Sequence, residues 1–337
     1  MNTAEKIKKP IVKELEEFKT LFHNALSDKD GLLGDALLHI SNRGGKMMRP
    51  ILVMLIAKNF GKINMVTQNG ALGLELLHTA SLVHDDVVDE SVERRGQASM
   101  NAIYDNRVSI LVGDYILSTA LFHVAKTRHT EIVSLLADLG RTLSDGELKQ
   151  LSNISKKDIS EEEYYRIIQG KTASLFAACA KIGAISVDAT KEDIDDAERF
   201  GNTIGLIFQI RDDIFDYYES TDIGKPTGND MAEGKLTLPV IHALLITGNE
   251  EMKALAMKVK DNTVNKEEIA RLVEFTKKNG GIEYAEKKMD ELKMSAAEFI
   301  KKCRNDEIKS ALTSYLDYVI TGNRYRSWIR CILPILR

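Results

Sequence analysis

Six aspartates stand out by their spacing. Asp85-Asp86-Val-Val-Asp89 and Asp212-Asp213-Ile-Phe-Asp216 repeat one pattern at two distant points of the chain. On a helix, residues four apart lie one turn apart on one face, so Asp85 and Asp89 can serve the same ion cluster, and Asp212 and Asp216 likewise. Hard carboxylate oxygens, one or two per ion and completed by water and phosphate, are the usual way to hold magnesium. One isolated motif of this kind reads equally well as a solvated acidic face. Here both copies follow apolar runs, Ala80-Ser81-Leu82-Val83 and Ile204-Gly205-Leu206-Ile207-Phe208. Helices this apolar are normally buried, and charges on them are rarely left unpaired. Six carboxylates facing one cavity would repel each other unless cations sat between them. The pair of motifs therefore predicts magnesium on two interior helices.

Basic residues gather near the same segments. Arg94 and Arg95 follow the first motif, Lys225 and Lys235 follow the second, Lys46 and Arg49 sit in a glycine loop, and Lys171 lies in QGKTAS. Any one of these lysines reads as a solvated surface charge. As a set beside two acidic motifs they suit phosphate, arginine as a bidentate fork and lysine as a point charge.

The elements that must carry these residues are helices. Prolines occur only at Pro10, Pro50, Pro226, Pro239 and Pro334, leaving none between Ile51 and Lys225. Within that stretch the apolar spacing is helical, as in Leu72, Leu76, Leu77, Ala80 and Val83, or Ile110, Ile116, Leu117, Ala120 and Leu121. The expected fold is all-α, a large helical bundle around a central cavity and a single domain over 1–337. Residues 321–337 form an atypical tail. Loops are expected at Ser41–Pro50, Glu93–Ser99, Ser152–Glu162 and Ser220–Lys235, and outer, solvated helices from about Glu250 onward. With 44% hydrophobic and 28% charged residues, the chain reads as a globular protein, and a net charge of -4 gives no reason to expect nucleic acid. Cys179, Cys303 and Cys331 are too scattered for a disulfide framework, which points to a reducing compartment. The N-terminus lacks the apolar core of a leader, and no stretch reads as a membrane span, so the expected location is the cytoplasm.

The chain resembles the trans-isoprenyl diphosphate synthases, and within them the bacterial octaprenyl type. The resemblance is carried by GGKMMRP (44–50), ELLHTASLVHDDVVDESVERRG (75–96), LVGDYILS (111–118), GELKQL (146–151), GKTASLF (170–176) and the segment from FQIRDDIFD to TLP (208–239). It implies Asp85, Asp89 and Asp212 as direct magnesium ligands, supported by Asp86, Asp213 and Asp216. It implies that Arg94, Lys171, Lys225 and Lys235 grip the allylic diphosphate (geranyl or farnesyl), while Gly45, Lys46, Arg49, His78 and Arg95 bind isopentenyl diphosphate. Thr172 and Gln209 would line the path of the developing carbocation, and Glu147 and Gln150 match a cavity-facing motif. By itself, His78 reads as a core histidine. Many family members carry arginine at the position of Met47, outside the phosphate-binding part of the pattern, so little change in affinity is expected.

The implied chemistry is ionisation, condensation and elimination. Cations neutralise the leaving diphosphate, the isopentenyl double bond attacks the allylic cation, and a proton is lost in a site closed to water. Ala80 and Ser81 lie about one turn before Asp85, where a bulky aromatic would stop chain growth. Both are small. The expected product is therefore a long-chain polyprenyl diphosphate of the kind that supplies quinone side chains, with Leu77 and Phe122 as candidate floor residues; close helix packing explains small residues equally. A class I terpene cyclase and a non-catalytic synthase subunit are the rival readings, opposed by the second aspartate motif and by GGKMMRP. The resemblance also implies a homodimer. Trp328, Ile329, Ile332 and Leu333, with nearby arginines, make a transient membrane contact a further expectation.

Overall fold

Helical spacing uninterrupted by proline produces helices through most of the described chain. The structure, a computed structural model, describes residues 2–27, 30–42, 45–94, 97–154, 159–218 and 227–322, the side chains of 94 and 150–154 excepted. In chain order the helices are α1 (Thr3–Lys8), α2 (Val12–Ala25), α3 (Gly31–Asn42), α4 (Met48–Phe60), α5 (Met65–Val88), α6 (Met100–Tyr104), α7 (Asn106–Lys126) and α8 (Thr130–Ile154). They continue with α9 (Glu161–Ile168), α10 (Ser174–Ile185), α11 (Lys191–Phe215), α12 (Asn229–Ala232), α13 (Leu238–Thr247), α14 (Glu250–Lys260), α15 (Lys266–Lys278), α16 (Gly281–Lys301) and α17 (Asp306–Thr321). The one sheet among the described residues is a small antiparallel ribbon, β1 (Glu93–Arg94) against β2 (Gln97–Ala98). It occupies the basic loop expected at 93–99.

Two compact units divide the described chain. Unit 1 takes Met1–Gly140, Ala178–Arg199 and Cys303–Leu312; unit 2 takes Arg141–Ala177, Phe200–Lys302 and the chain from Thr313.

In unit 1, α4 buries every residue from Pro50 to Ala57, the all-round apolar character of a core helix. Helix α5 begins under Asn64, whose side-chain oxygen accepts from the amides of Val66 at 2.7 Å and Thr67 at 3.1 Å. It buries Leu72, Leu76, Leu77, Ala80 and Val83, the stripe its spacing predicts. Helix α7 lies along α5 because two glycines permit it. A Cβ on Gly73 would fall 2.1 Å from Val124 Cγ2, and one on Gly113 would fall 2.2 Å from His84 Nε2.

Helix α7 bears out its helical spacing and corrects one expectation. Ile116 and Ala120 are buried, but Ile110 and Leu121 of the same predicted stripe are 44% and 47% exposed. Helix α7 is also long and apolar enough to cross a membrane by length and composition alone, where no such stretch was expected.

In unit 2, Ile168, Ile210, Ile214, Leu238, Leu255 and Leu272 join one core drawn from α9, α11, α13, α14 and α15. The helices after Glu250 are therefore solvated on one face only. Leu255, Val259, Leu272 and Ile282 are buried.

Candidate active site

Both aspartate motifs close a helix. Helix α5 ends at Val88 and Asp89 is its C-cap, its N–H donating to the Asp85 carbonyl at 2.8 Å. Helix α11 ends at Phe215, and the N–H of Asp216 donates to the Asp212 carbonyl at 3.2 Å. The third aspartate of each motif thus stands just past the helix rather than within it. This is the carbonyl end, where partial negative charge accumulates and cations, not carboxylates, are favoured. Burial repeats as well: the middle residues Asp86 and Asp213 are 0% and 2% exposed, while Asp85, Asp212 and Asp216 are half-buried and Asp89 is exposed. Among the described residues no three His, Cys, Asp or Glu side chains converge on one metal position. The donor set nonetheless fits magnesium, since each motif offers the one or two hard carboxylates that this ion takes beside water and phosphate oxygen.

The first motif belongs to unit 1, with most of the residues expected to bind isopentenyl diphosphate. Gly45 and Lys46 are exposed, Arg49 is half-buried in the first turn of α4, and His78 is half-buried on α5. Met47 caps α4 in the left-handed region at φ 53°. Ala80 is fully buried, and the Ser81 hydroxyl donates to the His78 carbonyl at 2.9 Å. Phe122 is 60% exposed, with Lys126 Nζ 4.2 Å from its ring centroid. Of the two candidate floor residues, Phe122 thus lies on the exposed face of α7, while Leu77 is buried. Arg94 lies in β1, its side chain outside the description, and Arg95, Lys225 and the tail residues Trp328, Ile329, Ile332 and Leu333 lie outside the described residues.

The second motif belongs to unit 2, where Lys171, Thr172, Gln209, Asp213, Asp230 and Lys235 line one cavity of about 430 Å³, with Tyr164 at its wall. Lys171 and Thr172 sit on a π-helical turn, Gln169–Ala173, a widening that recurs at functional sites. Backbone approach positions this turn: a Cβ on Gly205 of α11 would lie 2.5 Å from Ala173 Cα.

From the turn a chain of hydrogen bonds runs inward. The Thr172 hydroxyl donates to Gln209 Oε1 at 2.8 Å, Gln209 Nε2 donates to Asp213 Oδ1 at 2.8 Å, and the Tyr164 hydroxyl donates to Asp213 Oδ2 at 2.6 Å. Lys171 pairs with Glu147 at 2.7 Å and Lys235 with Glu233 at 2.5 Å.

The acids of unit 2 are crowded. Burial and the Asp230 carboxylate push Asp213 well above the usual carboxylate range. Burial and the Asp216 carboxylate push Asp230 up to about 7. Asp216 is fastened instead to backbone, its oxygens accepting from the amides of Asn229 at 3.0 Å and Asp230 at 3.1 Å. Asp212 accepts from Arg211 Nε at 3.0 Å, and Arg211, itself buried, also donates to the Val319 carbonyl in the last turn of α17.

Tyr164, Arg211 and Asp230 were not predicted as site residues. For Arg211 a signal existed, a charge set in an apolar helical run directly before Asp212. Tyr164 offered none, because 49 residues separate it from Asp213.

Comparison with known proteins agrees with this arrangement. The polyprenyl synthetase family model matches residues 30–276. The octaprenyl diphosphate synthase of Haemophilus influenzae is 36% identical over 295 residues, covering 87% of this chain and 89% of the relative. The nonaprenyl diphosphate synthase of Mycobacterium tuberculosis is 39% identical over 231 residues, 68% of each chain. Among solved structures, a geranylgeranyl pyrophosphate synthase from Bacteroides thetaiotaomicron is 47% identical with a TM-score of 0.84, covering 95% of this chain and 100% of its own. A polyprenyl synthase from Caulobacter crescentus, complexed with calcium and isoprenyl diphosphate, is 26% identical with a TM-score of 0.86, covering 94% of this chain and 97% of its own. By family-model match and by relatedness along most of its length, the chain belongs to the polyprenyl synthetase family and is a prenyltransferase.

Proposed function

We propose that this protein is a magnesium-dependent, long-chain all-trans-polyprenyl diphosphate synthase that extends geranyl or farnesyl diphosphate with successive isopentenyl diphosphates. The observation that carries the site is the unit 2 cavity, where two lysines stand beside a threonine–glutamine–aspartate relay. Lys171 and Lys235, with Arg94 and Lys225, hold the allylic diphosphate. Lys46, Arg49, His78 and Arg95 hold isopentenyl diphosphate, whose double bond attacks the allylic carbon. When bound at the aspartate motifs, magnesium supplies neutralisation of the departing diphosphate. Thr172 and Gln209 line the prenyl chain next to the carbon where positive charge develops.

Product length rests on Ala80 and Ser81, small residues one turn before Asp85, with Ala80 fully buried in the unit 1 core. A shorter product is the second reading, favoured by the name of the 47% identical Bacteroides protein. Mass spectrometry of the product made from farnesyl and isopentenyl diphosphates with magnesium decides between them. The expected product is linear and longer than geranylgeranyl diphosphate, and Ala80→Tyr shortens it. A wild-type product that stops at geranylgeranyl diphosphate, a cyclic product, or an unchanged length in Ala80→Tyr overturns the corresponding part of the reading.

The enzyme works as a homodimer in the cytoplasm, supplying side chains to quinones. Support for the dimer is the outer face of α7, where Ile110, Leu111, Leu121 and Phe122 are 44%, 67%, 47% and 60% exposed along one stripe. Sedimentation as a monomer at assay concentrations removes that element.

A further inference from the structure

The relay from Thr172 to Tyr164 has a direction. Asp213 Oδ1 faces Gln209 Nε2 at 2.8 Å and Oδ2 faces the Tyr164 hydroxyl at 2.6 Å. The Gln209 amide turns its NH₂ toward Asp213 and its oxygen toward Thr172. The single hydroxyl proton of Thr172 is then committed to that oxygen, at 2.8 Å. What Thr172 still offers the cavity it lines is a pair of lone pairs.

We propose that Tyr164 is a positioning residue that fixes this polarity, so that Thr172 presents hydroxyl lone pairs, rather than its proton, to an electron-deficient prenyl chain in the cavity. The inference rests on the proposed prenyl transfer and adds to it a residue that reaches Thr172 only through Asp213 and Gln209. Tyr164 is suited to the task. It is 6% exposed within the unit 2 core, and it begins one turn after an N-cap in which the Ser160 hydroxyl accepts from the Glu163 amide. Three glutamates, Glu161 to Glu163, complement the start of that helix. Its ring meets that of Tyr165 edge-on with centroids 5.3 Å apart, and its hydroxyl is turned to Asp213. Without that hydroxyl, Oδ2 would be left buried with no donor from α9, and the carboxyl group would be free to turn and release Gln209.

The test compares two ligands of the same shape in the presence of magnesium and inorganic pyrophosphate: a prenyl amine, whose ammonium stands in for the cationic carbon, and its neutral hydrocarbon isostere. Losing one buried hydrogen bond at the relay's end should weaken ammonium binding in Tyr164→Phe by about tenfold while the isostere changes by less than about twofold. In parallel, kcat should fall with little change in KM for the allylic diphosphate. In a Thr172→Val background the Tyr164→Phe substitution should add nothing to the ammonium loss, whereas Thr172→Ser should keep the sensitivity. Equal losses for both ligands, no loss, or a full additional loss in Thr172→Val overturns the proposal. If Tyr164→Phe fails to fold by circular dichroism, Gln209→Leu breaks the same relay at its centre and is held to the same ligand comparison. A wild-type protein that elongates allylic diphosphates while Tyr164→Phe stays insensitive sinks the relay alone; a wild-type protein that elongates nothing and binds neither ligand sinks the functional reading with it.

Discussion

The two aspartate motifs share a sequence pattern and a local geometry, yet they are held differently. Each buries its middle carboxyl group and stands at the carbonyl end of a helix. In the second motif every carboxyl group is engaged: Asp212 by Arg211, Asp213 by Tyr164 and Gln209, and Asp216 by two backbone amides. In the first, Asp89 is exposed at the very end of α5. One spacing thus serves two designs. The second motif is arranged by the protein before any cation arrives. The first ends in a carboxylate that the helix itself disfavours.

The largest effects should separate these designs. Replacing Asp89 or Asp216 by alanine should lower kcat by about a hundredfold to a thousandfold if both motifs neutralise the leaving group. Stability should split the pair. Asp216→Ala removes the acceptor for two backbone amides and should destabilise by about 1 kcal/mol, the usual cost of a lost cap. Asp89→Ala removes a negative charge from a helix C-terminus and should leave stability unchanged or raise it by about 0.3–1 kcal/mol. Urea unfolding of the metal-free variants reads the difference. If Asp89→Ala is destabilised as much as Asp216→Ala, the contrast between the motifs is wrong.

A second pair of substitutions probes the packing beneath each motif. Alanine at Gly113 would bring a Cβ 2.2 Å from His84 Nε2, a side-chain atom next to Asp85 that can swing away. Alanine at Gly205 would meet Ala173 Cα at 2.5 Å, in the backbone of the turn that carries Lys171 and Thr172. Backbone cannot yield so cheaply. Gly205→Ala should therefore cost about 1–3 kcal/mol, the range for overpacking, and Gly113→Ala less. Activity should fall in both, more steeply for Gly205→Ala, because it displaces the relay. An equal stability loss would mean that His84 is as immobile as a backbone atom.

What could be read from the sequence was local. Helices follow from spacing within a few residues, and so do the paired aspartates, since i and i+4 meet by geometry alone. The burial of Leu72, Leu76, Ala80 and Val83 was visible for the same reason. Long-range partners were not. Nothing in a tyrosine at 164 announces a bond to an aspartate 49 residues on, and the attachment of Arg211 to Val319 spans 108 residues. Helix α7 misled in another way. Its apolar residues continue onto a face that this chain leaves exposed, so helical spacing alone did not tell the buried face from the exposed one. Asp216 stands just past the end of α11, and its carboxyl group accepts from the first amides of the next short helix, α12.

The smallest effect is the one that best isolates the acidic crowding of the second motif. Asp230 has an ordinary value of 3.8 and is pushed up to about 7 by burial and by the Asp216 carboxylate, with Lys235 opposing. Between those two values the folded chain keeps a proton that the unfolded chain has lost. Stability contributed by this group is therefore greatest at low pH and declines as pH rises from about 4 to about 7. Asp213 is raised as well, and acts in the same direction. Thermal unfolding of the metal-free protein should show a melting temperature that falls by a few degrees across that window. Asp230→Asn should flatten the fall without abolishing it, since Asp213 remains. A melting temperature that climbs through the window would mean that the ionised acids are stabilised where they lie. The second motif would then need no cation to relieve it, and its tight wiring would be a structural device rather than preparation for a metal.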